Sequence, residues 1–388
     1  MRAAVTSGMA LIGATYGLAR FGYGLFLPQF TQTFEMGSFA AGVISSSSFI
    51  SYCLSAVIAS RIGDHPRRMV MCAGGAATVG SLGVAAAPDL FVLAISVFIA
   101  GAGAGFASPG LVALIQRNVA PARQENAQAI VNSGTGAGIV AAGALMFLTV
   151  GHWRLAWLTI AVVALLATAA TLRADESTAR PQVSDPLSPR MPARASELGA
   201  LTWPIFAATL AGICSAAVWT FGPSIMANAQ SSGVSYATLA WMVLGAFGIL
   251  GATAGKIVQT WSLQTAWSIT CVAMSAATIL LGLGPGAPVL AYTAVAVFGA
   301  TYTAMSGVLI VWAVRVTPGR AAEGTIVLFI ALAVGQALGS ATFGLLQGFV
   351  PQGVVFTLAG AVGLLSLTPV MTHQHGATPA LPQREGHS

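Results

Sequence analysis

The chain is divided into long stretches that are free of charge but for one arginine, and this limits its fold more than any other feature. About twelve such runs are bounded by Pro, Gly or charge: 6–30, 38–60, 69–87, 90–115, 127–150, 155–172, 202–226, 237–255, 267–283, 289–314, 324–350 and 354–371. A helix needs roughly 17 to 25 apolar residues to cross a bilayer, and most of these runs meet that length. Of 388 residues, 56% are hydrophobic and 7% charged, against roughly a quarter charged in a soluble domain. A water-facing surface cannot be made from that supply. In hydrocarbon a backbone must satisfy its own polar groups, and the runs lack the alternation of barrel strands, so the spans are helices. The expected fold is all-α: twelve transmembrane helices in two six-helix bundles. Trp153, Trp203, Trp267, Tyr292 and Trp312, near run ends, are read as interfacial belts.

The charges give a direction. Fourteen of the sixteen Lys and Arg residues fall on one side of a twelve-span path. Arg154 falls opposite, and Arg20 lies within a span. Arginine and lysine favour the cytoplasmic side, so both termini are placed there, in an integral protein of the bacterial inner membrane. The net charge of +6 comes from short clusters without a basic face, which argues against a nucleic-acid partner. The first run is too long for a signal-peptide core, and no cleavage is expected. Cys53, Cys72, Cys214 and Cys271 sit in four different runs without metal-ligand spacing and read as small hydrophobes. Neither a cofactor nor a metal is expected, and the working form is taken as a monomer.

The organisation is duplicated. The stretch "LRADESTARPQVSDPLSPRMPARASEL" holds eight of the 26 charged residues and four of the 18 prolines, and reads as a flexible linker. The expected divisions are a bundle at 1–172, a linker at 173–199, a second bundle at 200–372 and a tail at 373–388. Val119, Pro121, Arg123 and Gly138 match Val316, Pro318, Arg320 and Gly335 at an offset of 197. "FLP" at 26–28 meets "FGP" at 221–223 at an offset of 195. Two nearly equal offsets at corresponding places indicate a repeated six-helix unit.

Twelve spans, a 6+6 repeat and a charged central loop resemble the major facilitator superfamily, over the whole chain apart from linker and tail. The opening "ARFGYGLFLP" is most similar to its bacterial YbfB/YjiJ-type branch. The family's loop signature between spans two and three survives in degenerate form as "SRIGDHPRR". The arginine that often precedes the fourth-span glycines is replaced by Val97 or Phe98, so the proton coupling linked to it does not carry over. The resemblance implies a transporter in which two bundles rock around a central cavity lined mainly by spans 1, 4, 7 and 10. Glycine-rich "GTGAGIVAAG" and "GQALGSATFG" resemble the packing helices of the family's efflux members.

Arg20 is the residue that demands an explanation. It stands near mid-bilayer, where arginine costs about 2.5–3.5 kcal/mol on insertion scales. No Asp, Glu or His lies inside any span. Its compensation is therefore neutral acceptors, cavity water or an anionic solute. Two readings stand: a structural cation bonded to carbonyls and amides, or a solute contact suited to a carboxylate or another oxyanion. Tyr16 and Tyr23, at minus four and plus three, are expected on its stripe. Trp219 and Tyr302 are expected to face it from the other half. Asn132 and Gln336 are further solute-contact candidates, since neither tolerates burial without a partner. The Ser45–Ser48 run reads as helix packing. Arg61, Asp64, Arg67, Arg68, Arg123, Glu125, Arg320 and Glu323 cluster at span ends and form a candidate gate. Each also has a plain topological reading.

The function expected is secondary or facilitative transport of a small organic solute, with sugar or drug efflux and a non-transporting receptor or scaffold as alternatives. An intramembrane enzyme lacks a buried base or metal ligands, and no phosphate-binding loop supports an ATP-driven pump. With no titratable group at depth, uniport, exchange or symport of a proton-carrying anion is favoured over acid-based antiport.

Overall fold

The computed structural model describes residues 2–62, 65–149, 152–175, 195–230, 233–251, 262–317 and 320–367. Every regular element among them is helical. The first rod, α1, is composite: α-helical over Arg2–Ile12, π-helical over Gly13–Arg20 and α-helical again over Gly22–Phe34. There follow α2 (Ser38–Arg61), α3 (Pro66–Ala86), α4 (Leu90–Asn118), α5 (Pro121–Leu148) and α6 (Trp153–Arg173). The second set is α7 (Ala195–Asn228), α8 (Gly233–Gly251), α9 (Leu263–Leu283), α10 (Pro288–Val316), α11 (Ala321–Leu346) and α12 (Gln352–Leu365). Ten are single helices long and apolar enough to cross a membrane. The other two are α1, interrupted by its π stretch, and α12, 14 residues long among those described.

Helix ends extend past the apolar runs where the chain supplies good start signals. The fifth run begins at 127, but α5 begins at Pro121, because proline fits the first turn, where no N–H partner is needed. Pro66 and Pro288 open α3 and α10 in the same way. Asp89 caps α4 by accepting the Val92 N–H at 2.9 Å. The seventh helix starts at Ala195, inside the stretch expected to be linker; residues 176–194 and the expected tail at 373–388 lie outside those described.

The outer surface is apolar. Phe91, Leu148, Val289 and Phe349 are each more than 70% exposed, as bilayer-facing side chains are. The interfacial reading of the tryptophans needs correction. Trp203 is exposed, but Trp153 and Trp267 are buried pins whose indole N–H groups donate to Thr33 Oγ1 and the Ser366 carbonyl. Both sit at helix ends, where a ring has as much protein as lipid to cover.

Small residues set the helix spacing. A Cβ on Gly138 of α5 would lie 2.3 Å from the Gly13 carbonyl oxygen of α1, and one on Gly17 would lie 2.5 Å from the Gly138 Cα. In the second half, a Cβ on Gly335 of α11 would lie 2.0 Å from the Thr209 oxygen of α7, and one on Gly212 would lie 2.1 Å from the Leu332 oxygen. Gly138 and Gly335 are one of the pairs matched at 197, and Gly17 and Gly212 are separated by 195. The repeat is thus a repeat of contacts: α1 on α5, α7 on α11.

The halves meet along three seams: the last segment of α1 on α7, α2 on α11, and α5 on α8. Glycine brings each seam together, with Gly24 against the Trp219 carbonyl, Gly42 against the Ser340 carbonyl and Gly136 against the Gly245 carbonyl. Ser45 of α2 bonds across the halves to Thr220 of α7 at 2.8 Å, and Thr220 bonds within the second half to Ser340 of α11 at 2.9 Å. The Ser45–Ser48 run therefore does pack helices, and its first member also bonds between halves.

Candidate functional site

The site begins with the π-helical stretch. The N–H of Phe21 reaches back five residues to the Tyr16 carbonyl at 2.9 Å, which closes the wide turn that ends at Arg20. Wide turns change which residues share a face. Tyr16 still lies under the guanidinium, its ring centroid 5.6 Å from the Arg20 carbon Cζ. Tyr23 does not share that face: its hydroxyl donates to the Ala41 carbonyl at 3.0 Å and its ring stacks on Phe30. A stripe drawn with α-helical spacing fails because Arg20 stands where π gives way to α.

Arg20 is only 7% exposed and lies among aromatic rings. Its Cζ is 4.1 Å from the Tyr52 ring centroid, 5.0 Å from that of Phe49 and 5.3 Å from that of Phe21. Phe49 and Tyr52 stand three apart on α2 and so present their rings side by side. A cation over such faces gains about 0.5–2 kcal/mol, which offsets part of its desolvation but satisfies no N–H donor. Of the five N–H donors on a guanidinium, one reaches an acceptor among the described residues: Nη2 donates to Gln336 Oε1 at 3.4 Å, a long bond. Nε is buried without a partner among the described residues. The acids among the described residues, Glu35, Asp89, Glu125, Asp175, Glu197 and Glu323, all lie at or beyond helix ends or in a first turn.

Gln336 of α11 is 1% exposed and ties this cation to the second half. Its Nε2 donates to the Tyr302 hydroxyl at 3.0 Å and to Ser215 Oγ at 3.3 Å. Ser215 is the residue that the 195 offset pairs with Arg20. The two equivalent positions of α1 and α7 thus converge on one carboxamide. Trp219 stacks on Phe21 at 4.0 Å and meets Tyr302 edge-on at 5.1 Å. The indole N–H groups of Trp219 and its neighbour Trp241 are buried without partners among the described residues. Tyr16 completes the first-half wall, its hydroxyl 2.8 Å from Ser108 Oγ on α4.

Arg20, Tyr16, Trp219, Tyr302 and Gln336 are therefore brought together. Asn132 is not. It is exposed on α5 and accepts from Gln128 Nε2 at 3.1 Å, one turn from where Gly136 meets α8. Phe21, Phe49, Tyr52, Ser108 and Ser215 belong to the cluster and were not singled out from the sequence. The offset could have found Ser215. The Phe49/Tyr52 spacing is ordinary for a packed helix and carries no such signal. Among the described residues, no three His, Cys, Asp or Glu side chains gather as metal ligands would.

The candidate gate residues lie at helix ends. Asp64 lies outside the described residues; Arg61, Arg68 and Glu125 are exposed. Arg67 pairs with Asp175 at 3.1 Å, and Asp175, its side chain fully buried, also pairs with Arg117 and accepts from Asn118 Nδ2 at 2.9 Å. Arg320, just before α11, pairs with Glu323 in its first turn, and Arg123 is exposed but engaged. These three ion pairs each join residues of one half. Asp175 was passed over because it reads as linker in the sequence.

A helical membrane protein with twelve spans, a contact-level repeat and an intramembrane cation between the repeats has the architecture of a transporter. The sequence matches the Major Facilitator Superfamily over residues 9–340, and the chain belongs to that family. No curated protein matches it. Solved structures similar to it include a POT family transporter in complex with 5-aminolevulinic acid, at 13% identity and TM-score 0.77, covering 96% of this chain and 95% of that one. Nucleoside transporter NupG is similar at 13% identity and TM-score 0.72, covering 96% and 98%. A bacterial homolog of the human lysosomal transporter Spinster is similar at 16% identity and TM-score 0.72, covering 97% and 98%. At these identities the likeness is one of fold.

Proposed function

We propose that this chain is a secondary transporter that moves a small organic solute, anionic or polyhydroxylated, by alternating access, with Arg20 in its binding site. One observation carries the reading. A guanidinium buried to 7% exposure has one long hydrogen bond, an orphan Nε and no carboxylate among the described residues around it. A structural cation would have its donors filled by backbone carbonyls or amides, as buried polar groups almost always do. Arg20 has donors to spare, and it lies between two halves that meet through glycine seams. Tyr16, Tyr302, Trp219 and Gln336 form the walls. With no titratable acid at that depth, coupling is by exchange, uniport or a proton carried on the solute. The arginine distribution supports an inner-membrane protein with both termini cytoplasmic, and the "ARFGYGLFLP" opening supports the YbfB/YjiJ-type branch.

The test is a thermal-shift screen of purified protein against organic acids, sugars and cationic drugs, repeated with Arg20→Gln. A ligand that binds only the folded form stabilises it by about 2.7 kcal/mol at one hundred times its Kd. The stabilising ligands are expected to be anionic or polyhydroxylated, and the substitution is expected to abolish their effect. Equal stabilisation of both proteins refutes a solute role for Arg20. Absence of counterflow of those ligands in proteoliposomes refutes transport.

A further inference from the structure

We infer that the carboxamide of Gln336 is a built-in stand-in for a carboxylate, and that the solute is an organic acid whose carboxylate displaces it from Arg20. The inference rests on the reading of Arg20 as a solute contact and narrows it to one substrate class.

The geometry fixes which edge of Gln336 faces the cation. Both N–H groups of its amide are committed inside the second half, to Tyr302 at 3.0 Å and Ser215 at 3.3 Å. Only Oε1 is left to point across the seam, and it takes the Arg20 Nη2 proton at 3.4 Å. A carboxamide and a carboxylate share a planar, sp²-hybridised outline. The site therefore already holds half of what a carboxylate would present: one planar oxygen and no charge. The shortfall shows in the length of the contact and in the unpartnered Nε. A carboxylate offers two oxygens to a guanidinium fork, and charge-assisted bonds are about twice as strong as neutral ones. Such a ligand takes Nε and one Nη together, and Oε1 is displaced. Gln336 stays in place because its Nε2 bonds to Tyr302 and Ser215 are untouched.

The exchange has a consequence for the two halves. Arg20 of α1 and Gln336 of α11 are tied directly across the seam. A carboxylate on Arg20 removes that tie and puts the body of the solute between the halves, next to Tyr302 and Trp219. Binding thus loosens one link between the repeats and makes their contact at this depth depend on the solute.

Acid and amide of one skeleton separate the possibilities: benzoate against benzamide, and succinate against succinamide, by thermal shift on purified full-length wild type, Gln336→Glu, Gln336→Met and Arg20→Gln. In the wild type, acids are expected to stabilise and their amides not. Gln336→Glu places a permanent carboxylate on Arg20, so its melting temperature is expected to rise in the absence of ligand and its response to acids to vanish. Gln336→Met keeps the length and removes the competing oxygen, so its apparent Kd for the acids is expected to fall three- to tenfold. A wild-type-like acid response in Gln336→Glu, or an unchanged Kd in Gln336→Met, overturns the stand-in while leaving Arg20 as a solute contact. Should Gln336→Glu fail to fold, the Gln336→Met affinity decides alone. Stabilisation by neutral polyols only, lost in Arg20→Gln, also overturns the carboxylate class and preserves the broader reading. An acid response that survives Arg20→Gln removes the reading beneath both.

Discussion

Replacing Asp175 by alanine is expected to be among the most damaging single changes outside the core, and the structure gives the size of the effect. The carboxylate is fully buried and holds three partners from two other helices. Arg117, with its side chain 19% exposed, contributes a charge-assisted bond of about 1.5–3 kcal/mol. Arg67, 52% exposed, adds about 0.2–1 kcal/mol because water screens it. The Asn118 amide adds about 1 kcal/mol. The total, roughly 3–5 kcal/mol, equals what removal of one partner of a buried pair typically costs. The measurement is reversible denaturant unfolding in detergent micelles, followed by tryptophan fluorescence. Arg117→Ala is expected to cost nearly as much as Asp175→Ala, and Arg67→Ala less than about 1 kcal/mol. An Asp175→Ala protein within about 1 kcal/mol of wild type, or an Arg67→Ala protein as damaged as Arg117→Ala, refutes the argument. Asp175 ties the end of α6 to the ends of α3 and α4.

Gly138→Ala and Gly335→Ala should each lower stability by about 1–3 kcal/mol, since the added methyl meets backbone that has no rotamer to change. Both should also weaken ligand response, because the first pushes on the π-helical stretch that carries Arg20 and the second parts α11 from α7 beside Gln336 and Ser215; an unchanged response in either would contradict that site. Thr220→Val removes the central hydroxyl of the Ser45–Thr220–Ser340 cluster and should destabilise by about 1–3 kcal/mol through unpaired partners, read in the same unfolding assay. Glu323→Gln should change stability by less than about 1 kcal/mol, because the Arg320 pair is exposed; a larger loss would mean that the pair has a role beyond α11.

The contrast between Tyr16 and Tyr23 shows where local reasoning stops. Both sit at helical distances from Arg20, and both were candidates on the same ground. Their separation depends on a π turn whose cause is outside the local sequence. Gly13 and Gly17 are pressed onto Gly134 and Gly138 of α5, and the backbone of α1 follows that contact. Gln336 and Tyr302 are a different case. Each is an uncharged polar residue deep in an apolar run, and the cost of burying such a group was enough to mark it. Asn132 met the same criterion and failed because it is exposed, which depends on where α5 leaves α8.

The sequence by itself determined the helices, their number and the existence of a repeat. These follow from apolar length, charge placement and spacing, all of which act along the chain and need no partner. It also marked Arg20 as an anomaly, since the cost of a cation in hydrocarbon is independent of its neighbours. Only the tertiary structure decided what surrounds that cation: four rings from α1 and α2, one carboxamide from α11, and no acid among the described residues. Those contacts join residues up to 316 positions apart, set by how closely glycine lets helices approach, and no local pattern encodes them.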